Sequence, residues 1–335
     1  MTKPDPVAQE NPVNLGPDET SASDEVADAR SFPGARRPDR MTRVDSHGIG
    51  LSVIEWGDAD APPLLLAHGG FDFAGTYDCF APLLADAGWR VVSWDQRGHG
   101  NSDHSPLYTW DADVRDMAAV LNHVTDRPIP LLGHSKGGGL VLQVADALPH
   151  RVSAVINLDG VPSFRTVPDI NDRNRSRTMS EDMSSWLDHR RGSATRPRKP
   201  DTLDGLAQRR RRMNPRLPIE WLRYLVTVGA RHDEDGWRWK LDPSMRFGGF
   251  GPWRPQWSVA RMAGLSVPFL GIIGMEAEEM GWGTTADDVD GILPDGAEFH
   301  AIDTGHFVHI EKPRPVADLT LDFLERRIGG PGGQP

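Results

Sequence analysis

Gly133-His134-Ser135-Lys136-Gly137 stands between a short apolar run, Ile129-Pro130-Leu131-Leu132, and a helical pattern carried by Leu140, Val141, Val144, Ala145 and Leu148. A serine flanked by glycines at such a junction predicts a strand, a very tight turn and a helix in immediate succession. That arrangement lifts the hydroxyl out of the sheet edge. It also aims the N–H groups of the helix N-terminus at any negative charge formed beside the serine.

The same alternation continues on both sides. Arg43-Val44-Asp45 and Leu51 to Trp56, separated by His47-Gly48-Ile49-Gly50, predict a hairpin. Leu64-Leu65-Leu66-Ala67 is a continuous apolar run of the kind found in strands buried on both faces. A helix is predicted over Thr76 to Ala87, a strand over Arg90 to Trp94, a helix over Ala112 to Val124 and a strand over Val152 to Leu158. Farther on, strands are predicted at Pro268 to Gly274 and Ala297 to Ile302, with helices near Thr284 to Leu293 and from Pro313 to Ile328. Strands alternating with helices imply a parallel sheet covered on both faces.

About a hundred residues separate the strand at Leu158 from the one at Pro268, too many for a loop in a compact domain. Residues 161–262 are therefore expected to be an inserted, mainly helical cap, and residues 41–160 and 263–328 the core. From Val161 to Arg261 there are 21 Arg and Lys against 12 Asp and Glu, a balance of +9 in a chain whose net charge is −11. The overall charge argues against nucleic acid as a partner, which would need a basic face. Arg209-Arg210-Arg211-Arg212 reads as a solvated helix face. Residues 1–40 are poor in aromatic and branched apolar residues and read as a flexible tail, although Ser31 to Arg40 could pack on the body. Residues 329–335 read as a frayed end. The single cysteine, Cys79, reads as a packing residue. No apolar run approaches membrane-spanning length and no signal-peptide layout opens the chain, so a cytoplasmic protein without a membrane partner is expected.

Four segments, in this order, carry a resemblance to the α/β-hydrolase family. They are His68-Gly69-Gly70, Asp95-Gln96-Arg97-Gly98-His99-Gly100-Asn101-Ser102, Gly133-His134-Ser135-Lys136-Gly137-Gly138, and Gly305-His306-Phe307 followed by Glu311-Lys312-Pro313. The similarity runs from Thr42 to Arg327 and is weakest across residues 161–262. It implies an α/β fold with a mostly parallel central sheet and a cap after the sixth strand. It also implies a serine nucleophile, Ser135, with His306 as its base. His309, three residues on, is the rival base. The backbone N–H groups of Gly70 and Lys136 are the expected oxyanion hole. The Lys136 side chain is expected to point to solvent or to a carboxylate.

The acid of the triad is less direct. The position where the resemblance first leads, three residues after Gly274, is Ala277. Counting back from His306 favours Glu278, with Glu276 and Asp159 as alternatives. Phe71, His134, Trp221 and Trp253 are the candidate substrate contacts, and no metal or cofactor is implied. The expected reaction is hydrolysis of a carboxylic ester or lactone, on a bulky apolar or aromatic small molecule. Amide or carbon–carbon hydrolysis, acyl transfer, and a ligand-binding role with an idle triad stand as alternatives, and a homo-oligomer is left open. Dehalogenase and epoxide-hydrolase chemistry are disfavoured, because those members of the family carry aspartate where Ser135 stands.

Overall fold

A computed structural model describes residues 28–162, 172–194, 198–245, 255–278, 281 and 283–333. A hairpin of β1 (Arg40–Ser46) and β2 (Ile49–Trp56) opens the sheet, followed by β3 (Pro63–Ala67), α1 (Ala81–Asp86) and β4 (Arg90–Trp94). Then come α2 (Trp110–Val124), β5 (Ile129–His134), α3 (Lys136–Ala147) and β6 (Val152–Leu158). After β6 the chain forms α4 (Asp172–Ala194), α5 (Leu203–Met213), α6 (Ile219–Gly229), a small hairpin of β7 (Ala230–Asp233) and β8 (Gly236–Trp239), and α7 (Pro255–Met262). It returns to the main sheet with β9 (Phe269–Gly274) and β10 (Glu298–Ile302), and ends in α8 (Val308–Glu311) and α9 (Pro313–Ile328).

Eight strands form one sheet in the order β1-β2-β4-β3-β5-β6-β9-β10. The pairs β1–β2 and β2–β4 are antiparallel and the others parallel. Because side chains alternate across a strand, each central strand serves two cores. Leu65 and Ala67 of β3, Leu131 of β5 and Val155 of β6 face one side, where Met117, Val120 and Leu121 of α2 and Leu140, Val141 and Val144 of α3 cover them. Leu64, Leu66, Leu132 and Ile156 face the other, against Leu84 of α1 and Val316, Phe323 and Leu324 of α9. In such sheets the loops at the carboxyl ends of the strands carry the site.

Four expectations change. The segment after β6 contains a β-hairpin as well as helices. The helix expected over Thr284 to Leu293 is a single 3₁₀ turn, Asp287–Val289. The helix expected over Thr76 to Ala87 is split into a turn at Ala74–Tyr77 and the short α1. Part of the expected tail is docked: Ala29 is buried, the Phe32 ring meets Trp221 edge-on at 5.1 Å, and Trp56 Nε1 donates to the Arg36 carbonyl at 3.0 Å. Residues 1–27 lie outside the described residues. At the other end, Gly329 adopts a left-handed φ of 76° and caps α9, its N–H donating to the Glu325 carbonyl at 3.0 Å.

Candidate active site

Ser135 joins β5 to α3 with φ 53° and ψ −119°, a conformation that costs backbone energy in any residue but glycine. Its neighbours make the turn feasible. A Cβ on Gly133 would collide with the Gly137 carbonyl, and one on Gly137 with the Ala67 carbonyl, so helix and sheet approach within the space that only glycine leaves. Phe71 (φ 61°) and Asp159 (φ 45°) share this rare conformation. All three lie in loops at the carboxyl ends of adjacent strands, β3, β5 and β6.

His306 follows β10 and is buried. Its Nδ1 stands 2.5 Å from Oδ2 of Asp159, immediately after β6, while Asp159 Oδ1 accepts the Gly274 N–H at 3.1 Å. The carboxylate meeting the imidazole is therefore Asp159, not Glu278. Glu278 accepts the backbone N–H of His306 at 2.7 Å, and Glu311 accepts that of Gly305 at 2.9 Å, so these two carboxylates hold the loop and leave the ring to Asp159. Glu276 is exposed and does not meet the ring. The loop is also tied to the elbow: His134 Nε2–H donates to the His306 carbonyl at 2.9 Å. His309 is fully buried among Tyr77, Phe80 and His134, and burial lowers its pKa to about 3, so it is a neutral packing residue.

The loop after β3 is held by the turn after β4. His68 Nδ1–H donates to the Gly69 carbonyl at 2.7 Å, and its Nε2 accepts the Gln96 N–H at 3.0 Å. His99 Nε2 accepts the Phe71 N–H at 3.3 Å. Burial keeps both rings neutral, His68 at about 4 and His99 well below the usual histidine value, so each can accept through one nitrogen. Asp95 accepts from Ala74 N–H at 2.8 Å and Asn101 N–H at 2.7 Å. Arg97 is anchored by a buried two-pronged pair with Asp116, at 2.6 and 2.7 Å. A Cβ built on Gly69 would stand 3.3 Å from Ser135 Cβ, which measures how closely this loop approaches the elbow.

Lys136 ties the two halves together. Its side chain is buried, with Nζ 2.7 Å from Asp113 Oδ2 and 2.6 Å from Gln96 Oε1, and Gln96 Nε2 donates to the His68 carbonyl at 2.6 Å. Of the two expected destinations, the carboxylate is the one observed, inside the protein. This role escaped sequence reasoning, since Asp113 and Gln96 are remote in the chain.

A cavity of about 350 Å³ is lined by Gly70 and Phe71 of the loop after β3, by Phe307 next to His306, and by Arg198, Arg210 and Trp239; Ser135 and His306 themselves do not line it. Of the expected substrate contacts, Phe71 lines it. Trp221 does not: it is fully buried, stacked on Tyr224 at 5.2 Å, and belongs to a third core formed with α5 and α6. His134 is buried within the elbow, and Trp253 lies outside the described residues. The four arginines of α5 also divide. Arg211 and Arg212 are exposed and Arg209 pairs with Asp201 at 2.5 Å, whereas Arg210 turns inward to Asp72 at 3.0 Å and lies over the Trp239 ring. Cys79 is buried in the third core, and burial pushes its thiol up to about 12.

Among the described residues no helix is long and apolar enough to cross a membrane. A family model for the alpha/beta hydrolase fold matches residues 62–313. A serine hydrolase-like protein of Dictyostelium discoideum is 39% identical over 119 residues, 33% of this chain and 32% of that protein. A non-heme chloroperoxidase of Streptomyces lividans is 33% identical over 132 residues, 39% of this chain and 48% of that protein. The chain thus spans a third to a half of these relatives' length. The thioesterase domain from the curacin biosynthetic pathway superposes with a TM-score of 0.72 at 22% identity, covering 84% of this chain and 99% of that one, which is a likeness of fold. With three quarters of its length matched and the strand order to go with it, the chain belongs to the α/β-hydrolase family.

Proposed function

We propose that the protein is a serine hydrolase that cleaves a carboxylic ester or lactone through an acyl-enzyme. The observation that carries this reading is the His306–Asp159 pair, at 2.5 Å, in the loops beside the strained Ser135. A serine hydroxyl attacks only once a base takes its proton, and a base serves best when its far nitrogen is oriented by a carboxylate. Ser135 Oγ bonds to the substrate carbonyl carbon as its proton passes to His306 Nε2. The imidazolium, steadied by Asp159, returns that proton to the leaving alkoxide. Water, deprotonated by the same imidazole, then releases the acid and restores Ser135.

The N–H groups of Lys136 and Gly70 are the proposed donors to the oxyanion. The Phe71 N–H is already taken by His99, which leaves Gly70 to supply the donor from that loop. Donors held in position before the reaction contribute about 3 kcal/mol each. The Gln96–Lys136–Asp113 linkage supports that rigidity. Residues 161–262 are proposed as a cap, on the support of Arg198, Arg210 and Trp239 lining one cavity together with Gly70 and Phe71. The Asp159 carboxylate at His306 Nδ1 supports a working triad over an idle one.

The test is twofold. A fluorophosphonate probe should label the protein, and Ser135→Ala should abolish both labelling and 4-nitrophenyl ester hydrolysis, the rate falling more than about 10⁴-fold. Full activity in that variant would sink the assignment.

A further inference from the structure

Three arginines line the cavity that Gly70, Phe71 and Phe307 border, Arg198, Arg209 and Arg210. Two are neutralised: Arg209 by Asp201 at 2.5 Å and Arg210 by the buried Asp72 at 3.0 Å. Arg198 differs. Its Nε donates to the Leu241 carbonyl at 2.7 Å and its Nη2 to the Asp242 carbonyl at 3.3 Å, and no carboxylate of a described residue comes within ion-pair distance. The Asp242 carboxylate is engaged elsewhere, by the Tyr108 hydroxyl and by the Ser244 N–H at 2.7 Å. Burial lowers the pKa of Arg198; the charge of Asp242 opposes that shift and the nearby Arg209 adds to it. The rest of the wall is mostly apolar, from Phe71, Phe73, Met213, Trp239 and Met245, with two polar residues, Asn214 and the Asp72 that Arg210 already pairs.

Filling this cavity with a wholly apolar group would strip water from Arg198 and give nothing in return. A carboxylate would instead meet a planar guanidinium whose orientation two backbone carbonyls already fix. Resting on the hydrolase reading above, we propose that Arg198 marks a carboxylate-binding subsite, so that the preferred substrate is an ester whose acyl group runs over an apolar stretch and ends in a carboxylate.

The experiment compares 4-nitrophenyl monoesters of glutaric, adipic and suberic acids with 4-nitrophenyl esters of uncharged acyl groups of equal length, on the full chain. The protein should favour one of the charged esters by at least about tenfold in kcat/KM, and Arg198→Met should erase most of that ratio while Arg198→Lys keeps part of it. Should Arg198→Met lose its thermal transition, the ratio in Arg198→Lys decides, and it must fall between one and the wild-type value. A protein that cleaves the esters without preferring charge, or whose preference survives Arg198→Met, overturns the subsite and leaves the hydrolase reading standing. If no ester is cleaved and the fluorophosphonate fails to label, the hydrolase reading falls instead. The subsite is then decided by calorimetric titration of the three free dicarboxylates: binding weakened at least about tenfold by the Arg198 variants supports it, and absence of binding overturns it.

Discussion

His306 Nδ1 and Asp159 Oδ2 stand 2.5 Å apart across 147 residues of sequence, while Glu278, 28 residues from His306, touches only its backbone N–H. The two carboxylates should therefore separate sharply under mutation. Asp159→Asn keeps the shape but removes the charge and favours the wrong imidazole tautomer, so the rate on an aryl ester should fall about 10⁴-fold, as it does in the serine-protease triad. Glu278→Gln keeps an acceptor for the His306 N–H and should cost less than about tenfold. Steady-state kinetics on both variants make the check, and equal losses would reassign the acid.

Lys136→Met should lower thermal stability as well as activity. It leaves Asp113 buried without its cation, and breaking one side of a buried ion pair costs about 3–5 kcal/mol. Asp113→Asn in the same chain should recover part of the melting temperature by removing the stranded charge. Calorimetry of the single and double variants tests this, and additive losses would contradict it.

Gly137→Ala should cost more than about 4 kcal/mol or prevent folding, because the added methyl would occupy the space of the Ala67 carbonyl. Gly192→Ala, where a Cβ meets nothing within 4 Å, serves as the control. Soluble yield and urea midpoints report the difference.

Stability should fall on the acid side. Burial lowers the pKa of His68 to about 4 and of His309 to about 3, and holds His99 and His134 well below the usual 6.5. In each case the unfolded chain takes up the proton first, so their contribution is present above 6.5 and is lost progressively as the pH drops towards the folded values. Asp78, pushed up to about 6 mainly by burial, acts with the opposite sign and offsets part of the loss below that value. Urea midpoints should therefore drop between pH 7 and 4.5. His309→Leu should flatten the slope by about one proton, and should raise the midpoint, since neither ring nitrogen of His309 has a hydrogen-bond partner among the described residues.

The elbow and the histidine loop after β10 were legible because glycine spacing and apolar runs are local signals. The carboxylate that meets the imidazole was not, because the spacing argument led to the loop after β9, whereas Asp159, with a positive φ just past the end of β6, reaches the same ring. Val289, Ile292 and Leu293 fit a helical period, but Gly291, with φ 72°, interrupts it, and the apolar residues pack through turns. Trp221 misled as an aromatic in an arginine-rich stretch. Its companions Leu222, Leu225 and Val226 are buried with it, the pattern of a helix packing its own core.

Strand order also has a bearing on how the protein is made. Strands β1 to β6 need nothing beyond Leu158 to pair with one another, so the half of the sheet that carries Ser135 can assemble while later residues are still being synthesised. The His306 imidazole arrives only after β10, the strand at the far edge, has been made, and Phe32 must wait for Trp221 to emerge. A nascent chain stopped short of residue 298 would hold the bent Ser135 while the histidine that faces Asp159 is still unmade.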